Sequence, residues 1–225
     1  MGDRALLAVF GEEIDPVINA RVRGIAQLLE MHNPPGLTAV VPAYASLTVL
    51  YDPLVLPVGK IATILNGLMN YLDLLDARGG ERVEIPVCYG GEFGPDMATV
   101  VSVTGLDEEE VIRRHIAVDY PIYMVGFTPG FPFLGGMDPA LATPRLENPR
   151  SVVPAGSVGI ANNQTGMYSV DSPGGWQLIG RTPIKLFDPS RENPFLYKAG
   201  DRIRFVPITP EEFGDLAQGE FEEST

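Results

Sequence analysis

The chain has 225 residues, enough for one large domain or two small ones, and its 45% hydrophobic and 20% charged residues are ordinary for a soluble globular protein. Sixteen Lys and Arg against 29 Asp and Glu leave a formal net charge of −13, which argues against a nucleic-acid partner, whose phosphates need Lys and Arg. No apolar run reaches bilayer-spanning length, Met1-Gly2-Asp3-Arg4 lacks the basic start of a signal peptide, and the lone Cys88 excludes an internal disulfide; a cytoplasmic protein with no membrane partner is expected.

In chain order, Ala5 to Phe10 is an apolar run of strand length. Asp15 before Pro16 predicts a helix N-cap followed by Pro at the first helical position. Ile18, Val22, Ile25 and Leu29 follow at helical spacing, and Asn33-Pro34-Pro35-Gly36 stops the helix. Leu37 to Val41 and Ser46 to Tyr51 read as strands. A second helix is expected to carry Ile61, Leu65, Leu68, Leu72 and Leu75 on one face and to end at Gly79-Gly80. This order predicts a small α+β domain over residues 1–81, with helices covering one side of a sheet.

From Arg82 the pattern changes. Val83 to Val87 alternates like a strand, and Asp107 with Glu110 three residues later resembles a capping box at the start of a short helix. The rest, rich in Gly and Pro, reads as strands and loops, so residues 82–225 are predicted to form a β-barrel, whose closure removes exposed sheet edges. Residues 211–225 hold six acids (Glu211, Glu212, Asp215, Glu220, Glu222, Glu223) and no base. They read as a solvated, frayed end, with a docking tail for a basic partner as the alternative.

Residues 125–180 contain ten of the 25 glycines and seven of the 21 prolines, yet only five charged residues: Asp138, Arg145, Glu147, Arg150 and Asp171. Interleaved Phe127, Phe131, Phe133, Tyr168 and Trp176 argue for ordered loops that bring backbone close to a ligand, with tight barrel corners as the plainer reading. Asn162-Asn163-Gln164-Thr165 offers donors and acceptors suited to an amide or carboxylate, or else forms a polar turn. Arg181, followed by Thr182, could clamp a carboxylate or phosphate or pair with Asp188. Ser172-Pro173-Gly174-Gly175-Trp176 could form an anion-binding backbone nest beside an aromatic wall. His115 lies on the short helix, and a lone helical His is more often a surface or half-buried residue than a catalytic one. Cys88 reads as a small buried hydrophobe.

Several chemistries are excluded. The only Gly-Lys pair, Gly59-Lys60, has Leu54 where a phosphate loop needs its first glycine, and no Gly-x-Gly occurs. Ala155-Gly156-Ser157-Val158-Gly159 has Ala where a nucleophile elbow needs Gly. Two histidines and one cysteine cannot build a His- or Cys-rich zinc site.

Four long motifs carry a resemblance: Ile85 to Asp96 (IPVCYGGEFGPD), Gly126 to Gly136 (GFTPGFPFLGG), Val153 to Gly166 (VPAGSVGIANNQTG) and Ser172 to Pro183 (SPGGWQLIGRTP). In this order they resemble the KipI/allophanate-hydrolase-subunit-1 family, with Asn162 standing where Gly is expected. The resemblance implies a small α+β domain followed by a cyclophilin-like β-barrel of carboxyltransferase type. It implies the B component of an ATP-dependent 5-oxoprolinase, a lactam hydrolase working with A-like and C-like partner proteins on a small lactam or amide, with ATP and its Mg²⁺ as cofactors. A kinase-inhibitor branch and a urea- or allophanate-linked carboxyltransferase component are the alternatives. On this basis His115, Asn163, Gln164 and Arg181 are expected to be catalytic. Phe127, Pro129, Gly130, Phe131, Ser172, Gly174, Gly175, Trp176 and Thr182 are expected to bind substrate, with no metal site on the chain itself.

Overall fold

The structure, a computed structural model, describes residues 3–13, 15–72 and 80–219. The chain divides into two compact units, residues 1–79 and 80–225. Among the described residues no helix is long and apolar enough to cross a membrane.

In the first unit β1 (Ala5–Val9), β2 (Leu37–Pro42) and β3 (Ser46–Tyr51) form an antiparallel sheet in the order β1-β3-β2. Alternate residues of β3, Leu47, Val49 and Tyr51, are buried. They share a core with Val22, Ile25 and Leu29 of α1 (Pro16–His32) and Ile61 and Leu65 of α2 (Val58–Met69). Each such side chain contributes roughly 1.5–3 kcal/mol by leaving water. Asp15 caps α1 as its sequence predicts, its carboxylate accepting from the Val17 and Ile18 amides, and Asn33 ends the helix at φ 37°. The second helix is shorter than its apolar periodicity suggests. Beyond Met69 the chain tightens into i→i+3 bonds, Asn70 N–H to the Gly67 carbonyl and Tyr71 N–H to that of Leu68, so Leu72 packs on the core from outside the helix. Leu75 and Gly79 lie outside the described residues.

The second unit begins with β4 (Arg82–Tyr89), α3 (Met97–Thr104), α4 (Glu108–His115), β5 (Tyr120–Val125) and β6 (Pro132–Leu134). After a turn of 3₁₀-helix at Pro139–Leu141 come β7 (Arg150–Val153), β8 (Ser157–Ala161), β9 (Gln164–Met167), β10 (Ser172–Gly174), β11 (Gln177–Arg181), β12 (Arg202–Pro207) and α5 (Pro210–Gln218). Seven strands form one sheet in the order β6-β5-β12-β4-β11-β8-β9, and β7 and β10 pair separately. The sheet curls until its ends meet: a β-carbon on Gly166 of β9 would lie 3.3 Å from the Pro132 carbonyl oxygen of β6. The interior of this nearly closed barrel holds Ile85, Val87, Ile122, Val158, Ile160, Ile179, Ile203 and Phe205. The fold is thus α+β, a small mixed unit followed by a barrel.

Helices α3 and α5 correct the expectation of an almost helix-free second half. α3 carries Val100, Val101 and Val103, β-branched residues with low helix propensity. It is helical because Met97 and Val100 bury on the barrel and Gly105 closes its end at φ 71°. Three of the acids expected in a frayed end, Glu211, Glu212 and Asp215, lie on α5; Glu220, Glu222 and Glu223 lie outside the described residues. α5 starts with a full capping box, the Thr209 hydroxyl accepting from the Glu212 amide and Glu212 accepting from the Thr209 amide. At α4 only half a box forms. Asp107 accepts from the Glu110 amide, but the Glu110 carboxylate turns to Arg113 and Arg114, whose guanidinium groups hold it near pKa 2.

Candidate functional site

Four segments distant in sequence meet around an aromatic cavity of about 140 Å³. Phe127, Phe131, Phe133, Tyr168 and Trp176 line it with Arg145 and the Pro173-Gly174-Gly175 backbone. Phe131 is the hub, with ring centroids 5.1 Å from Phe133, 5.6 Å from Tyr168, 5.6 Å from Trp176 and 5.7 Å from Phe127, all near edge-to-face. That geometry sets positive ring edges against negative faces. Two glycines make it possible. A β-carbon on Gly174 would sit 2.2 Å from the Tyr168 hydroxyl, and one on Gly166 would press on the Trp176 and Phe131 rings at 3.1 and 3.2 Å. The volume is well under the roughly 300–1,000 Å³ of sites for drug-sized ligands. The cavity therefore suits a single small ring and is too small for a nucleotide.

The loop from Gly126 to Phe131 presents the most exposed wall. Phe127 is 72% exposed and sits at φ 68°, in the left-handed region that bulky residues avoid. The Thr128 amide donates to the Gly126 carbonyl across it, which makes a γ-turn of the strained, positive-φ kind. The Gly126 amide to Phe131 carbonyl bond, the Ser169 hydroxyl on the Pro129 carbonyl and the Tyr197 hydroxyl on the Gly130 carbonyl pin the loop. A strained residue held by its surroundings marks a site where geometry has been kept at a cost to stability. Replacing Phe127 by Gly should leave the fold intact or stabilise it by up to about 1 kcal/mol, while weakening any ligand of the cavity by tenfold or more. Parallel thermal melts and ligand titrations check both halves.

Of the residues singled out in the sequence, Phe127, Phe131, Gly174, Gly175 and Trp176 converge on this cavity. Pro129 and Gly130 shape its loop. Ser172 is buried nearby on β10, its hydroxyl without a hydrogen-bond partner among the described residues. Gly174 and Gly175 do not form an anion nest: neither adopts the positive φ a nest needs, and Ser172 to Gly174 pairs with β7 as a strand. Asn163 and Gln164 stand apart, Asn163 exposed in the two-residue β8–β9 turn and Gln164 half-buried at the start of β9, paired with Ala161. Asn162 takes φ 53° there, a conformation Asn tolerates, which explains why its neighbours keep their register without glycine. Arg181 and Thr182 line a different hollow of about 310 Å³ with Ser169, Lys185 and Phe213. The Arg181 Nε donates to the Ala155 carbonyl, not to Asp188, which pairs with Lys185 instead. The Thr182 hydroxyl accepts from the Ile184 amide inside a buried turn.

His115 is furthest from its expected place. It is fully buried, stacked on Phe205 at 4.6 Å, and both ring nitrogens are engaged: Nδ1 with the Tyr89 hydroxyl and Nε2 with that of Thr165, each at 2.8 Å. The Thr165 hydroxyl donates its proton to the Gly159 carbonyl. Nε2 must therefore be the protonated nitrogen, and Nδ1 accepts from Tyr89. Burial in this apolar setting pulls the imidazole pKa down to about 3. Such a group holds the barrel together and does not reach the aromatic cavity, so the structure gives it a structural place where the sequence reading gave it a catalytic one.

Arg145 was counted in the sequence among the few charges of the loop region but given no role. It is exposed at the cavity wall, and among the described residues it makes no ion pair or hydrogen bond. Cys88, in β4, is buried, and burial raises its thiol pKa. Among the described residues no group of three or more His, Cys, Asp or Glu side chains is placed to hold a metal ion.

The cavity and barrel can be set beside known proteins. Residues 1–197 match the family model for the carboxyltransferase domain, subdomain C and D. The chain is 45% identical to the B subunit of 5-oxoprolinase from Bacillus subtilis (strain 168) over 223 residues, 95% of this chain and 93% of that one. The chain belongs to this family. A second relative, the 5-oxoprolinase B subunit of Escherichia coli O157:H7, is 40% identical over 92% of this chain and 94% of its own. The crystal structure of TTHA0988 superposes with a TM-score of 0.81 at 42% identity over 91% of this chain; the match spans only 40% of that longer chain. The four motifs read from the sequence thus fall within a known family, and three of them furnish the walls of the aromatic cavity: Phe127, Phe131 and Phe133 from the second, Gly174 to Trp176 from the fourth, and the Gly166 contact from the third.

Proposed function

We propose that this chain is the B subunit of an ATP-dependent 5-oxoprolinase and that its aromatic cavity seats the lactam ring. The single observation that carries the reading is near full-length identity of 40–45% to two B subunits; a cavity sized for one small ring supports it. A lactam resists water because its nitrogen donates into the carbonyl. Transfer of a phosphoryl group from ATP to the lactam oxygen removes that protection and releases ADP. Water then adds to the carbon, the C–N bond breaks, and a second water releases phosphate from the ring-opened acid, leaving glutamate. Such a route needs positioning and charge stabilisation rather than a Ser-His pair, which fits a chain whose one buried histidine is locked in its core. The cavity is too small for ATP, so the nucleotide and its Mg²⁺ would be taken at a surface completed by A-like or C-like partner proteins of the same enzyme.

The test is ADP and glutamate release on adding 5-oxo-L-proline, first to this chain alone and then with such partners. Release in equal amounts only from the complete mixture is expected. Silence in every combination would favour the kinase-inhibitor or urea-linked readings.

A further inference from the structure

We infer that Arg145 receives the carboxylate of the ligand at the mouth of the aromatic cavity, so that the site selects small rings bearing an acid group over neutral lactams. The inference rests on the cavity being the lactam seat. A ring-shaped apolar hollow by itself would bind any small cyclic amide. Arg145 is the one charged side chain among its lining residues. It is also held in place by its backbone. On one side the Gln177 side-chain amide donates to the Pro144 carbonyl at 2.9 Å; on the other the Leu146 amide donates to the Gly175 carbonyl at 2.7 Å. The segment carrying Arg145 is thereby stapled to the same Gly175–Gln177 stretch that supplies the Trp176 wall.

Three other arginines in the barrel are occupied. Arg150 grips Asp96, Arg114 binds Glu110 and Asp138, and Arg181 donates to Ala155. Arg145 has no such partner among the described residues, yet it is close enough to act electrostatically on the Tyr168 hydroxyl inside the cavity. An unpaired guanidinium on a tied segment beside an aromatic hollow presents a planar fork of donors matched to a carboxylate.

Trp176 is the only tryptophan of the chain and lines the cavity, so its emission reports binding directly on the full chain. Titration with 5-oxo-L-proline should give a saturable change, and 2-pyrrolidinone, the same ring without the carboxylate, should bind at least tenfold more weakly. Arg145→Met should lower the affinity for 5-oxo-L-proline by ten- to a hundredfold and leave that for 2-pyrrolidinone within twofold; Arg145→Lys should recover part of the loss. If the wild type responds and Arg145→Met binds 5-oxo-L-proline within twofold of it, Arg145 is not the carboxylate receptor, while the cavity stands as the lactam seat. If neither lactam changes the emission of the wild type, the seat itself is wrong and the inference falls with it.

Discussion

Between pH 6.5 and 4 the barrel is expected to lose stability more steeply than its His115→Gln variant does. The folded imidazole titrates at about 3 because burial disfavours its cation, whereas in the unfolded chain it titrates near 6.5. As pH falls through this window the unfolded state binds a proton that the folded state refuses. The contribution is therefore fully present above about 6.5 and is lost on the way down to about 3. The slope for one proton approaches about 1.4 kcal/mol per pH unit, so the window amounts to several kcal/mol, a large share of the roughly 5–15 kcal/mol of a typical fold. Carboxylates titrate in the same range in both proteins, so the informative quantity is the difference between wild type and variant in urea unfolding at a series of pH values. His115→Gln should be less stable at pH 7.5, since it cannot satisfy both the Tyr89 and Thr165 hydroxyls with the same geometry, and should close the gap as pH falls. Parallel curves for the two proteins would mean that the folded imidazole is protonated normally and that its two hydroxyl partners do not hold it neutral.

The same histidine shows why parts of the site were not legible in the sequence. Ile112, Arg113, Arg114, His115 and Ile116 give no local signal of which face turns inward. The decision is made by Thr165, fifty residues away, and by the Phe205 ring across the barrel. Asn163 and Gln164 carry suggestive chemistry, but the hairpin places Asn163 in its two-residue turn and Gln164 in the strand that follows. The aromatic set was legible because aromatic residues amid many glycines have few other uses, and the Gly166 and Gly174 contacts supply the reason for the glycines. Arg145 could have been found from its rarity, as one of five charges in 56 residues, but not its lack of a partner, which depends on where every carboxylate ends up. In the first unit the caps and apolar spacing sufficed, since helix and strand there follow local pattern. α3 defeated such reading because its valines favour a strand, and only burial on the barrel overrides them. α5 was missed although Thr209-Pro210-Glu211-Glu212 states both a capping box and a helix-starting proline.

Truncating Asp96 should be the most damaging single change near the cavity. Its carboxylate takes one Arg150 nitrogen on both oxygens, at 2.7 and 2.9 Å, and also accepts from the Leu178 amide at 2.7 Å. The Asp96 amide returns a bond to the Leu178 carbonyl, so the α3 start and β11 are tied reciprocally. Arg150 in turn reaches the Trp176 carbonyl at 3.3 Å and so links this tie to the cavity wall. With the Asp96 side chain 11% exposed, Asp96→Ala strands a half-buried guanidinium and a buried amide. Removing one partner of a buried pair costs about 3–5 kcal/mol. Because the Arg150 side chain is 29% exposed and can recruit water, the lower end, about 3 kcal/mol, is expected. Asp96→Ala combined with Arg150→Met should recover part of that loss, because no charge is then left without a partner. Urea unfolding followed by Trp176 emission measures both variants and reads the second unit alone. In the single variant the folded-state emission should also shift to the red as Trp176 loosens and meets water. A loss below about 1 kcal/mol with unchanged emission would place the pair among surface ion pairs and detach it from the geometry of the cavity.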